Sequence, residues 1–283
     1  MMAFNRMAGL TGALVLALAP GLRAEEAQRI VAVGGAVTEI VYALGEGDRL
    51  VARDSTSTYP PEASVLPDVG YIRRLSPEGV LSVSPDLILA EEGAGPPEAV
   101  TLLRAAAIPF VEVPDGFTAA AVLDKIRAVG EAIDRPEAAA ALADKVAADL
   151  DAARDGAHAE GKRVLFILSM QGGRILASGT GTAADGMIRL AGATNAVTDF
   201  EGYKPLTDEA VTRAAPDVIL MMDRDGDHAA ANATLLSHPA LAPTPAAAAE
   251  AVVRMDGMYL LGFSVRTAEA VRDLVQALNA AGH

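Results

Sequence analysis

Cysteine and tryptophan are both missing from the 283 residues, and only four histidines are present. Without cysteine there are no disulfides, thiolate metal sites, iron–sulfur ligands or cysteine nucleophiles. The lipid-modified cysteine that would anchor a bacterial lipoprotein is excluded with them. The histidines, at 158, 228, 238 and 283, lack the spacing of a zinc site. Positive charge is also short, with 23 Lys+Arg against 37 Asp+Glu and a net charge of -14, which argues against nucleic acid as the main partner. No GxSxG, P-loop or HExxH run occurs. The Asp-rich DRDGDH stretch at 223–228 lacks the twelve-residue calcium-loop pattern with its closing Glu and reads as a polar loop. The chemistry therefore falls to Tyr, Arg, Glu, Asp, Met and backbone. Hydrophobic residues make up 51% of the chain, so wholesale disorder is excluded and a substantial core can form. The length allows two domains or one large one.

Residues 1–24 read as a secretory signal. Arg6 supplies the positive start, residues 7–19 (MAGLTGALVLALA) are apolar, Pro20 and Gly21 break the run, and Ala24 offers a small residue for cleavage. The uncharged run is shorter than the ~20 residues a spanning helix needs. Its removal takes away Arg6 and Arg23 and leaves a still more acidic, exported chain, with no later segment able to span.

Strand and helix signals then alternate. Residues 29–33 (RIVAV) are a β-branched run ending in Gly34-Gly35, followed by Val37, Ile40, Val41 and Leu44 at helical spacing up to Gly45. Residues 86–90 (DLILA), 108–113 (IPFVEV) and 163–168 read as further buried strands. Such alternation predicts parallel sheets covered by helices. An internal repeat organises it. Residues 70–89 (GYIRRLSPEGVLSVSPDLIL) align with residues 202–220 (GYKPLTDEAVTRAAPDVIL) after one deletion. The alignment pairs Gly70 with Gly202, Tyr71 with Tyr203, Ser76 with Thr207, Glu78 with Glu209, and Pro85-Asp86 with Pro216-Asp217. In each copy a hydroxyl residue stands where it caps a short helix, and Pro-Asp launches a strand. Upstream, GAVTEIVYALG at 35–45 resembles GTAADGMIRLAG at 181–192. Two such pairs in one order indicate duplicated α/β lobes.

Between the copies, Val122, Ile126, Val129 and Ile133 form an apolar stripe that Asp134-Arg135-Pro136 interrupts and Leu142, Val146 and Leu150 continue. Its position between the repeats marks it as an inter-lobe connector. The expected organisation is a signal peptide at 1–24, an N-terminal lobe at 25–117, a connecting helical segment at 118–160 and a C-terminal lobe at 161–283. The fold class is α/β, two Rossmann-like lobes joined by one long helix with a ligand cleft between them.

This arrangement resembles the single-connecting-helix periplasmic binding proteins of ABC importers, which carry cobalamin, ferric siderophores or haem. The GYIRRLSPEGVLSVSPDLIL run, GTAADGMIRLAG, FEGYKPLT and LLGF-x-x-R at 260–266 resemble the haem-binding branch, and the likeness runs from about residue 28 to the C-terminus. The resemblance implies a non-catalytic carrier that binds haem in the periplasm and delivers it to an inner-membrane ABC permease dimer, acting as a monomer. A ferric-siderophore or cobalamin carrier is the alternative within the class. A secreted two-lobed enzyme is the alternative outside it, and no nucleophile–base pair is recognisable for one.

The resemblance makes Tyr71 the axial ligand of ferric haem, and phenolate is a hard anionic donor suited to Fe(III). A neighbouring cation favours the deprotonated form, and Arg73 and Arg74 follow directly, to stabilise the phenolate or to pair the haem propionates. Tyr203, at the repeat-equivalent position, is expected to face the same cleft. Met170 stands where some relatives carry a second axial His and is expected as a weak sulfur ligand or, rather, an apolar contact on the haem face. Residues 245–250 (PAAAAE) depart from relatives that carry arginines there. Arg224, Arg254 and Arg266 read as surface or helix-cap residues. Glu78 and Glu209, in the first turns of equivalent helices, are favoured locally by the helix dipole, and the resemblance makes them docking residues for permease arginines.

Overall fold

The computed structural model describes residues 26–156, 159–223 and 231–281. The signal segment, Arg224, His158, His228 and His283 lie outside them. The first lobe holds strands β1 (Ile30–Val33), β2 (Leu50–Arg53), β3 (Leu87–Glu91) and β4 (Phe110–Val113), with helices α1 (Gly35–Ala43), α2 (Pro77–Ser82) and α3 (Pro97–Ala105). Helices α4 (Ala119–Ala132) and α5 (Pro136–Asp155) follow. The second lobe contains β5 (Arg163–Gln171), β6 (Arg174–Ser178), α6 (Ala183–Leu190), β7 (Thr194–Asn195), β8 (Tyr203–Pro205), α7 (Asp208–Ala214) and β9 (Val218–Asp223). It ends with α8 (Asn232–Leu236), α9 (Pro245–Ala248), β10 (Val252–Asp256), α10 (Gly257–Leu261) and α11 (Thr267–Ala280).

The first sheet is wholly parallel in the order β2-β1-β3-β4. All four residues of β1 are buried, as expected for a central strand covered on both faces. The second sheet runs β10-β9-β5-β6-β8, with β7 beside β5. Here the expectation of a parallel sheet holds only for β10, β9, β5 and β7. Gly172 and Gly173, at φ 56° and 76°, turn β5 back into β6 as an antiparallel hairpin, which β8 extends.

The duplication extends to individual hydrogen bonds. Ser76 and Thr207 cap α2 and α7 by accepting from the backbone N–H of Gly79 and Ala210. The Asp86 carboxylate accepts from the N–H of Gln28 and Arg29, each at 2.8 Å, and Asp217 accepts from that of Arg163 at 2.8 Å. The Arg29 guanidinium donates to the carbonyls of Val83 and Ser84 just past α2, and the Arg163 guanidinium donates to that of Ala214 at the end of α7. Pro-Asp thus ties each short helix to the strand beside the one it launches.

The connector is a packed helix pair. The interruption read at 134–136 is the end of α4, where Asp134 adopts φ 61°. Gly130 lets α5 approach so closely that a Cβ there would collide with the Cβ of Ala139. Helix α4 packs on α1 and β4 of the first lobe, and α5 packs on α11 of the second. One apolar cluster runs from Ile30, Leu87 and Leu89 through Ile126 and Val146 to Phe166, Leu220 and Leu274. The lobes therefore share a continuous core behind the cleft.

Candidate functional site

The loops at one end of the two sheets enclose a cavity of about 770 Å3. Its first-lobe wall includes Tyr71, Ile72, Arg73, Glu91, Asp115 and Phe117. Its second-lobe wall includes Leu168, Thr182, Tyr203, Met222, Met258 and Leu261. Loops that leave parallel strands at their C-terminal ends are the usual place for a ligand in such folds.

Tyr71 precedes a helical turn, Ile72–Arg74, and is 49% exposed, while Ile72 beside it is buried. Gly70, at φ 104°, and Gly202, at φ 83°, give both repeat loops a left-handed turn just before their tyrosines. Arg73 donates to the carbonyl of Gly93 and faces the cavity. Arg74 is exposed and does not line it. The two arginines, left undivided at the sequence level, thus have different surroundings.

Tyr203 lines the opposite wall and packs against Phe166, with ring centroids 6.3 Å apart. Met170 does not line the cavity. An irregularity between Ile167 and Ser169 shifts the alternation of β5, so Met170 packs with Leu165 and Ile167 on the far face of the sheet. The expected place of Met170 in the cleft wall is thereby corrected, since Leu168 lines it instead. Residues 245–250 also lie off the cavity wall.

Two charged clusters went unread. The Lys125 ammonium is fully buried behind the first-lobe wall, bonded to Glu91 and, at 2.8 Å, to Asp115. Burial alone would pull its pKa down, but the two carboxylates outweigh that and hold it above the usual lysine range. Lys125 falls on the same helical face as Val122 and Val129, the visible sign that its charge would need buried partners. The second cluster joins the lobes. Arg266 donates to Glu39 through Nε at 2.9 Å and Nη2 at 2.5 Å, and Ser264 Oγ donates to the same carboxylate at 2.5 Å. The Arg266 guanidinium also lies 3.7 Å from the ring centroid of Tyr59 and 5.0 Å from that of Tyr259. Arg266 does stand at the N-cap position of α11, as expected, but its side chain makes an inter-lobe tie rather than a cap. Arg254 bonds to Asn232 at 2.9 Å. Among the described residues no three His, Cys, Asp or Glu side chains are grouped to hold a metal ion.

The periplasmic binding protein family matches residues 30–259. The chain belongs to that family. Among solved structures, the periplasmic heme-binding protein BhuT in complex with two hemes is 42% identical. It covers 90% of this chain and 99% of its own, with a TM-score of 0.85. The apo form of RhuT, a periplasmic heme-binding protein of Roseiflexus sp. RS-1, is 40% identical over 90% of this chain and 99% of its own, with a TM-score of 0.86. An uncharacterised ABC transporter substrate-binding lipoprotein, YvrC of Bacillus subtilis, is 31% identical over 70% of this chain, and the match spans 65% of that relative. A vitamin B12-binding protein of Pectobacterium carotovorum is 29% identical over 75% of this chain and 76% of its own length.

In this periplasmic binding protein Glu78 and Glu209 both lie exposed in the first turn of their helices. Ser76 Oγ donates to Glu78 at 2.9 Å and holds its carboxyl below the usual range. Glu209 lies 3.5 Å from Arg213 one turn on. Among the described residues no helix is long and apolar enough to cross a membrane.

Proposed function

We propose that this periplasmic binding protein captures haem in the inter-lobe cavity and delivers it to an ABC permease. The observation that carries the reading is the pairing of Tyr71 and Arg73 on one wall of a large, mostly apolar cleft. The similarity to two heme-binding proteins at 42% and 40% identity supports it. Tyr71 supplies the axial phenolate to ferric iron. Arg73, facing the cavity, favours the phenolate or pairs a propionate. Tyr203, Leu168 and Met222 offer apolar surface to the porphyrin from the other wall. Arg74, exposed and off the cavity wall, stands outside this set.

Residues 1–24 direct export and are cleaved, and the mature chain acts as a monomer in the periplasm. The working boundaries are a first lobe at 25–117, a connector at 118–160 and a second lobe at 161–283. Glu78 and Glu209, on equivalent helices of the duplicated lobes, dock onto arginines of the permease dimer. Such rim charges act on encounter and orientation more than on lobe stability. No group in the cleft is assigned a catalytic role.

A haemin titration followed by absorbance tests the reading. The wild type should develop a Soret band and a high-spin ferric spectrum of the tyrosinate type. Tyr71→Phe keeps the ring and removes the oxygen, so it should lose that spectrum while retaining weak apolar binding. An unchanged spectrum in Tyr71→Phe refutes the ligand assignment. Cobalamin binding without any haem spectrum favours the vitamin B12 reading that the Pectobacterium relative suggests.

A further inference from the structure

The two cleft tyrosines are held in different ways. Tyr203 begins β8, and the backbone around it belongs to a sheet ladder, with Gly179 donating to Gly202 at 2.8 Å and Gly202 to Thr180 at 3.0 Å. Tyr71 has no ladder. The carbonyl before it, of Gly70, accepts from Ser55 N–H at 2.9 Å, and the N–H after it, of Ile72, donates to the Asp54 carboxylate at 3.3 Å. The Tyr71 peptide thus straddles Asp54 and Ser55.

Asp54 is fully buried. Its Oδ1 accepts from Gly34 N–H at 3.0 Å and Ser57 Oγ at 2.7 Å, and its Oδ2 accepts from Thr56 N–H at 3.1 Å, Thr56 Oγ1 at 2.7 Å and Ile72 N–H. Five donors from three segments converge on one carboxylate: the β1–α1 junction, the loop after β2, and the Tyr71 loop. A neutral side chain of the same shape cannot accept at both oxygens, because an amide offers one acceptor and one donor group.

We infer that Asp54 is the positioning residue for Tyr71. Its carboxylate sets the 70–72 backbone in the free protein, so the phenol is aimed into the cleft before the ligand arrives and binding does not have to order the loop. The inference rests on the reading of Tyr71 as the haem ligand. Asp54 touches no ligand itself and acts through the backbone on either side of the tyrosine.

The test compares wild type, Asp54→Asn, Tyr71→Phe and the double variant. Ferric-haem spectra and the rate of haem transfer to an apomyoglobin acceptor are measured at a temperature where thermal scans show each protein folded. Asp54→Asn should release haem about tenfold faster, as expected when hydrogen bonds to a charged acceptor are lost, and should show a reduced tyrosinate fraction. In the Tyr71→Phe background the same change should add nothing. An equal acceleration in that background, or a lowered melting temperature with unchanged spectrum and release, overturns the positioning role. Wild-type behaviour of Tyr71→Phe alone instead overturns the ligand reading and this inference with it. Where Asp54→Asn does not fold, hydrogen exchange in the wild-type apoprotein decides. The Ile72 amide should be protected before haem is added, and free exchange there overturns the inference.

Discussion

Arg266→Met tests how firmly the lobes are tied. Methionine keeps an unbranched apolar stem against Tyr59 and Tyr259 but deletes the charge. Glu39 would then keep, of the contacts described, only the Ser264 hydroxyl, in a site where its side chain is 2% exposed. Breaking a buried ion pair from one side costs about 3–5 kcal/mol, because the surviving charge stays desolvated. The Arg266 side chain is 17% exposed, which places the loss toward the lower end of that range. Loss of the stacked cation over Tyr59 adds roughly 0.5–1 kcal/mol. A total of about 3–4 kcal/mol corresponds to a fall in melting temperature of roughly 6–16 °C for a chain of this size. Calorimetry measures it. Adding Glu39→Gln should recover much of the loss, since the stranded charge is removed. A fall smaller than about 1 kcal/mol, or no recovery in the double variant, refutes the claim that this pair is desolvated and shared between lobes.

Gly130→Ala places a methyl against Ala139 in the α4–α5 contact and should destabilise by about 1–3 kcal/mol in denaturant titration, with an unchanged midpoint refuting the close packing. Glu46 bonds to Arg49 at 3.0 Å and to Arg135 at 2.5 Å. Burial pushes its carboxyl up, but the two arginines prevail and hold it below the usual range. Its stabilisation is therefore present above about pH 4.3 and lost as pH falls below it. Glu46→Gln should lower stability at pH 7 and flatten the acid limb of the stability profile, and parallel profiles would contradict this. Glu78→Ala combined with Glu209→Ala should leave haem binding intact while lowering transport through a reconstituted permease, and full transport would remove the docking role.

Much of the first lobe was legible because its signals are local. All four residues of β1 are apolar and three are β-branched, Gly34 ends the strand at φ 114°, and the repeated Pro-Asp marks where β3 and β9 begin. The second lobe misled at one place. Gly172-Gly173 between two apolar runs is a hairpin signal, and reading only the strand before it left β6 out. The same segment misplaced Met170. The expectation for Met170 rests on the resemblance, where some relatives carry a second axial His, and the irregularity after Ile167 turns residue 170 to the face opposite Leu168. Nothing in the residue types announces that shift, because every residue from Val164 to Leu168 is apolar.

Charge partners were the other gap, for a different physical reason. Glu39 and Arg266 lie far apart in the chain, and their meeting depends on how the lobes settle around the shared core. What the sequence does carry is the demand. A glutamate inside GAVTEIVYALG and a lysine on an apolar helical face each require a buried partner, since an unpaired charge there would cost too much. The repeat, by contrast, suggested more symmetry than the cleft has. Tyr71 and Tyr203 align residue for residue, yet one stands on a loop held by Asp54 and the other on a sheet strand. The first-lobe wall carries Arg73, Glu91 and Asp115 with Lys125 behind them, and the second presents Leu168, Met222 and Leu261 beside its tyrosine. Duplication supplied two similar frames, and the ligand chemistry was placed unequally on them. On the proposed haem reading, polar contacts are expected mainly from the first-lobe wall and packing surface mainly from the second, where Thr182 and Asp256 add polar groups.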